Sequence, residues 1–125
     1  MNHEIQIKSS AGLALLKQIR KVCERLPESY EKIDGFGHTM FQVNEKSFVR
    51  MGEGEEDGAV LAIKATPFTQ ESLLQQPYYF KTPYVGKHGW VSIRVNDPLN
   101  LVEIEALIVE GYRLAAPKRL AKLLD

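Results

Sequence analysis

The chain has 125 residues, 44% of them hydrophobic and 26% charged, an ordinary composition for a globular domain with its own core. Sixteen Lys and Arg balance sixteen Asp and Glu, which argues against a surface devoted wholly to gripping nucleic acid and leaves room only for a local basic patch. Cys23 is the only cysteine, so no internal disulfide forms, and the apolar run AGLALL is too short for a signal-peptide core or a membrane span; a cytoplasmic protein without membrane contact is expected.

Leu13, Leu16, Ile19, Cys23 and Leu26 recur at helical spacing and predict a helix over 10–26, capped by Ser9 or Ser10 and stopped by Pro27. Lys17, Arg20, Lys21, Glu24 and Arg25 take its solvated face. Strands are predicted at 30–34, 38–43, 47–52, 59–65 and 90–95, with breaks at Gly35-Phe36-Gly37, Asn44-Glu45-Lys46 and 52–58. Connections this tight call for an antiparallel meander, because parallel strands need longer crossovers. A short helix is predicted over 69–76, with Thr69 as its cap and Phe68 and Leu73 at staple spacing.

Asn100 and Glu103 fit a capping box at the start of the closing helix, flanked by Leu99 and Ile104 as a staple. Leu101, Ile104, Ile108 and Ala115 mark its buried stripe, and a terminal turn is expected over 117–124. The expected fold class is α+β: a two-layer α/β sandwich with an antiparallel sheet of about five strands, flanked on one face by the N- and C-terminal helices. One domain covers 1–125, with its core over 10–124.

If both helices cover one sheet face, the other faces water or a partner. Alternation then sorts the strand residues. Phe41, Val43, Val49, Met51, Leu61, Ile63, Ala65, Val91, Ile93 and Val95 point inward. His38, Met40, Gln42, Phe48, Arg50, Val60, Ala62, Lys64, Trp90, Ser92 and Arg94 point outward. The outward set combines aromatic residues with cations and holds no carboxylate, a mixture suited to an anionic or stacking partner. The competing interpretation is that the aromatics shield the sheet while the cations lie flat over them.

Catalytic signals are absent from the sequence. Lys87 and His88 are adjacent and in an extended segment would point to opposite sides, while Gly86 and Gly89 around them suit turn geometry. Neither a phosphate-cradling glycine motif nor a G-x-S-x-G elbow occurs. His3, His38, His88 and Cys23 lack zinc-ligand spacing, and the acidic turn of Glu53, Glu55, Glu56 and Asp57 lacks the EF-hand pattern. No catalytic residue, metal or cofactor is therefore expected.

Four stretches, HTMFQVNEKSFVRM, LAIKA, PYVGKHGWVSIRV and EGYRLAAPKRL, resemble the MmcQ/YjbR-like proteins, small bacterial domains with a CyaY-like fold; the likeness spans 10–124. Lys87, Trp90, Val91 and Ile93 carry its most distinctive strand entry. The resemblance implies an α–β(meander)–α sandwich in a double-wing arrangement, with DNA as the suggested partner, and brings no catalytic residues with it. Frataxins use an acidic first helix for iron, whereas Lys17, Arg20, Lys21 and Arg25 stand here.

The expected activity is DNA binding through the open sheet face and the 81–90 loop, carried by Arg50, Lys64, Lys81, Lys87, His88, Trp90 and Arg94. An alternative is a protein-interaction domain using the same face or the end around Tyr112, Arg113, Lys118 and Arg119. A small-ligand binder or enzyme would instead need a pocket under the 77–89 loop lined by Tyr78, Tyr84 and His88.

Overall fold

In the computed structural model, which describes residues 6–56 and 58–125, Ser9 caps the first helix, α1 (Ser10–Glu24). Its Oγ accepts the Gly12 amide at 3.1 Å and donates to Glu53 Oε1 at 2.7 Å. The Ser9 and Lys8 amides donate to the same carboxylate. His3 and Asp57, named above for the metal set and the acidic turn, lie outside the described residues. The buried stripe of α1 is Gly12, Leu15, Leu16, Ile19 and Cys23, so Leu13, placed in the stripe by spacing, is instead half exposed. Gly12 sets this rotation by pressing the helix on the sheet: a Cβ there would stand 3.0 Å from that of Ala59.

The sheet has six strands: β1 (Tyr30–Ile33), β2 (Thr39–Val43), β3 (Lys46–Gly54), β4 (Gly58–Ile63), β5 (Tyr79–Lys81) and β6 (Val91–Arg94). Their order is β1-β2-β3-β4-β6-β5 and every pairing is antiparallel. After β4 the chain passes through α2 (Pro67–Leu73), lays β5 at the sheet edge, and returns to insert β6 beside β4. β5 goes unseen in the sequence because three residues are too few to display alternation. Thr66, rather than Thr69, caps α2 by accepting the Thr69 amide at 3.1 Å, with Pro67 in the first helical turn. Phe68 consequently falls inside the helix and is 82% exposed, so it makes no staple.

Helix α3 (Leu101–Ala115) starts as expected, with Asn100 Oδ1 accepting the Glu103 amide at 3.0 Å. Its buried side is Ile104, Leu107, Ile108, Gly111, Tyr112 and Ala115, while Leu101 is half exposed. Helix α4 (Lys118–Ala121) and a closing 3-10 turn (Lys122–Leu124) follow, anchored by buried Leu120. Side-chain bonds tie α1 and α3 to one face of the sheet: Arg20 to Glu31, Ser9 to Glu53, and Glu103 to Tyr79. Register puts Phe41, Val49, Ile63 and Val91 in one row on that face, and Thr39, Met51, Leu61 and Ile93 in another.

Simple alternation fails at Phe48. Phe41 pairs with Val49 and Gln42 with Ser47, so Phe48 is an extra residue, a β-bulge. The bulge puts two consecutive side chains on the helical side, and Phe48, expected outside, is fully buried with its ring edge-to-face on Tyr112 at 5.7 Å. Gly111 lets α3 come this close, since a Cβ there would lie 2.8 Å from the Lys64 carbonyl and 3.3 Å from that of Phe48.

Phe48→Ala should therefore cost about 3–5 kcal/mol in urea unfolding, as a core truncation does, whereas an outward Phe48 would lose little. A second expected outcome concerns pH. Hydrogen bonds from Ser9, chiefly its hydroxyl, hold the Glu53 carboxyl below its ordinary range against a smaller opposing effect of burial. A depressed folded pKa contributes stability above the unfolded value, about 4.3, that is lost as pH falls through the folded value. The thermal midpoint of Glu53→Gln should thus lie below wild type at neutral pH, and the gap should close as pH drops below about 4.

Candidate functional site

Opposite the helices, register aligns Met40, Arg50, Ala62, Ser92 and Phe80 across five strands, with Lys32 beside Met40 and Val60 beside Arg94. Lys64 and Trp90 continue the alternation of β4 and β6 onto this open face. The Arg94 guanidinium lies over the Phe80 ring at 4.6 Å. Gln42 donates from Nε2 to Ser47 Oγ at 2.8 Å, and the Ser92 and Thr82 hydroxyls meet at 2.8 Å. Ala62 and Ser92 are buried without a helix above them, covered by the longer side chains lying across the strands.

Arg50, Lys64 and Arg94 therefore do share one surface. Val91 and Ile93 are packed beneath the helical layer, as alternation requires, and Trp90 stands on the other side of the sheet. Trp90 is only 9% exposed, however, and is a packed residue rather than a stacking platform. Lys81 pairs opposite Val91 and so belongs to the helical side at the sheet edge, apart from the other cations. Lys87 and His88 lie exposed in a 3-10 turn, Gly86–His88.

That turn is fastened to α2. The buried Gln70 amide donates from Nε2 to the Gly86 carbonyl at 2.7 Å and to the Trp90 carbonyl at 2.8 Å. Gly89 has φ +99° and packs so tightly that a Cβ would fall 2.1 Å from the Ala65 carbonyl. Tyr78, Tyr84 and His88 are all exposed, and Tyr84 extends into solvent at 95%, so they line no pocket under the loop. At the C-terminal end, Tyr112 is fully buried and donates its hydroxyl to the Pro27 carbonyl at 2.7 Å. It offers nothing to a docking partner.

The electrostatics divide by face. The carboxylates borne by the described strand residues are Glu31 and Glu53, and both project to the helical side. Arginines of the helical layer have carboxylate partners: Arg20 with Glu31 at 2.7 Å, Arg25 with Glu105 at 2.6 Å, Arg113 with Asp125 and Arg119 with Glu28, both at 3.0 Å. Lys32, Arg50 and Lys64 on the open face have no such partner among the described residues. Sequence reasoning passed over Lys32, although the alternation of β1 with Glu31 turned inward would have found it, and over Phe80, which needed β5.

Groups with chemical potential elsewhere are occupied or silenced. Burial, with a smaller contribution from Glu31, pushes the Cys23 thiol up to about 12, so it stays protonated at neutral pH. Burial and then Glu103 also raise Tyr79, whose hydroxyl donates to Glu103 Oε1 at 2.7 Å. His38 Nδ1 meets Asp34 Oδ2 at 2.9 Å in the β1–β2 turn. Among the described residues no three His, Cys, Asp or Glu side chains gather closely enough to hold a metal ion, and no helix is long and apolar enough to cross a membrane.

An α+β sandwich with one helical layer and one bare, cation-bearing sheet face is the class these features define. The YjbR family profile matches residues 24–114, and the chain belongs to that family. A crystal structure of the Deinococcus radiodurans protein DR2400, with a DUF419 domain, is similar at TM-score 0.69 and 23% identity, over 87% of this chain and 86% of that one. A Pseudomonas syringae protein gives TM-score 0.66 and 19% identity, over 79% of this chain and 97% of that one. Identities this low speak for the fold alone. No relative of curated function matches the chain.

Gln70 is the residue on which the loop's geometry turns. Gln70→Ala removes one donor group from two buried carbonyls, and should cost about 1–3 kcal/mol while raising amide exchange over 83–90. Equal exchange in the variant and wild type would show that the loop holds its shape without α2.

Proposed function

We propose that the protein is a non-catalytic cytoplasmic binding domain whose open sheet face docks on the phosphates of DNA. The observation that supports this most directly is the sorting of charge. Strand carboxylates are turned to the helical side, and the helical arginines are neutralised there. The open face keeps Lys32, Arg50 and Lys64 without carboxylate partners among the described residues, together with Arg94 over Phe80. A chain of zero formal net charge thus presents a cationic patch, and it does so where no helix stands in the way of a rod-shaped polyanion. Trp90 contributes support beneath that patch rather than contact.

Phosphate binding releases condensed counterions, so affinity must fall with salt. A labelled duplex titrated at several salt concentrations should give a slope of log K against log salt of about −3, for three or four phosphate contacts. Arg50→Ala and Lys64→Ala should each weaken binding and flatten that slope by about one, whereas Arg113→Ala, whose guanidinium is paired with Asp125, should leave it unchanged. Absence of duplex binding at low salt would sink the proposal.

A further inference from the structure

Tyr84 combines two properties that neither packing nor turn chemistry requires together. Its φ is +67°, and the Val85 amide donates to the Pro83 carbonyl at 2.8 Å, which closes a γ-turn of the strained, positive-φ kind around it. A bulky side chain rarely occupies this region of backbone space, where glycine is the ordinary choice. The tyrosine recovers no burial in exchange: it is 95% exposed, and its side chain has no hydrogen bond or ring contact among the described residues.

The turn is nonetheless held firmly. The Gly86 amide donates to the Thr82 carbonyl at 2.8 Å, and Gln70 grips the carbonyls of Gly86 and Trp90. Strain that the surroundings enforce, on a side chain that packs against nothing, marks a position kept for contact with something outside the molecule. Phe68, 82% exposed in the first turn of α2, stands two residues from Gln70 and so on the other side of that helix from the loop, which leaves Tyr84 as the bare aromatic here. Lys87 and His88 are exposed on the turn beside it, and residues 77–95 include no Asp or Glu.

Topology places this tip next to the cationic face. Val91 pairs with Ile63, so the loop entering β6 and the end of β4 with Lys64 lie at one end of the sheet. The acidic turn after Gly54 lies at the opposite end. We infer that Tyr84 forms a base-stacking tip for single-stranded nucleic acid whose phosphates run over the open face. An exposed aromatic face with adjoining cations is the chemistry by which unpaired bases are held. This inference rests on the polyanion reading above and adds what that reading lacks, a contact to bases.

The experiment compares a labelled oligothymidine with a length-matched abasic oligonucleotide, which keeps the phosphates and removes the bases. Wild type should bind oligothymidine more tightly. Tyr84→Ala should lose about five- to a hundredfold on oligothymidine, with affinity for the abasic strand unchanged. Tyr84→Gly should lose the same preference while its thermal midpoint stays level or rises, separating contact from folding. Equal wild-type affinity for both strands overturns the stacking tip and leaves phosphate docking standing. Binding to neither at low salt overturns both. A Tyr84-dependent affinity for anionic phospholipid vesicles, with no preference for oligothymidine, would assign the tip to a membrane surface and overturn the inference.

Discussion

One inserted residue in β3 governs how the two layers meet. With Phe48 bulged out of the ladder, its ring and the Val49 side chain both turn toward the helices, and α3 closes over them at Gly111 and Tyr112. The close approach depends on the missing Cβ at Gly111, because the Lys64 and Phe48 carbonyls already fill that space. Were β3 to alternate without interruption, Phe48 would sit on the opposite face and α3 would lose the aromatic partner of Tyr112. The same bulge returns Ser47 to the open face, where it meets Gln42 and approaches the Met40 sulfur at 3.6 Å. Core formation and the clearing of the open surface are two results of one irregularity.

Charge follows the same partition. Glu53 serves the helical layer by accepting from the Ser9 hydroxyl and from the Ser9 and Lys8 amides, a junction between β3 and the start of α1. Glu31 does likewise for Arg20. Exposed pairs such as Arg119 with Glu28 add little stability individually. They hold each arginine of the helical layer against a carboxylate, whereas Lys32, Arg50 and Lys64 on the other face have no such partner among the described residues. Net neutrality and a basic surface are thus compatible, because neutrality is a property of the sum and binding responds to the nearest charges within a Debye length of about 8–10 Å.

Much of this was legible in the sequence, and the gaps have physical causes. Caps at Ser9 and Asn100 were readable because side-chain oxygens two or three residues ahead of an apolar stripe have few other uses. The inward set Val91, Ile93, Leu61 and Ile63 followed from strict alternation. Phe48 did not, since a bulge is invisible to any period of two. β5 was too short to reveal itself, and with it went Phe80 and the understanding that Lys81 faces the helical side. Helix α2 starts two residues before the 69–76 expectation because Thr66 caps it and Pro67 fits the first helical turn, where its missing amide costs nothing. Trp90 was assigned to the correct face and the wrong degree of exposure: alternation gives direction, while burial depends on neighbours from strands distant in sequence.

The sheet is polarised along its strands as well as across its thickness. At the end where β3 turns into β4, Glu55 and Glu56 are exposed, and Arg94, opposite Val60 and two pairs short of Gly54, is the open-face cation nearest to them. At the other end lie Lys64, α2 and the 82–90 loop, so Tyr84 stands where the acidic turn is farthest away. A polyanion crossing the face would therefore be held off at the hairpin tip and drawn toward the loop. Gln70 matters to this polarity because it is buried in the helical layer yet bonds the two carbonyls that bracket Lys87 and His88. Through it, packing of α2 against the core fixes the position of a loop that has little core of its own. That linkage lets Tyr84 remain in a conformation its own chemistry disfavours.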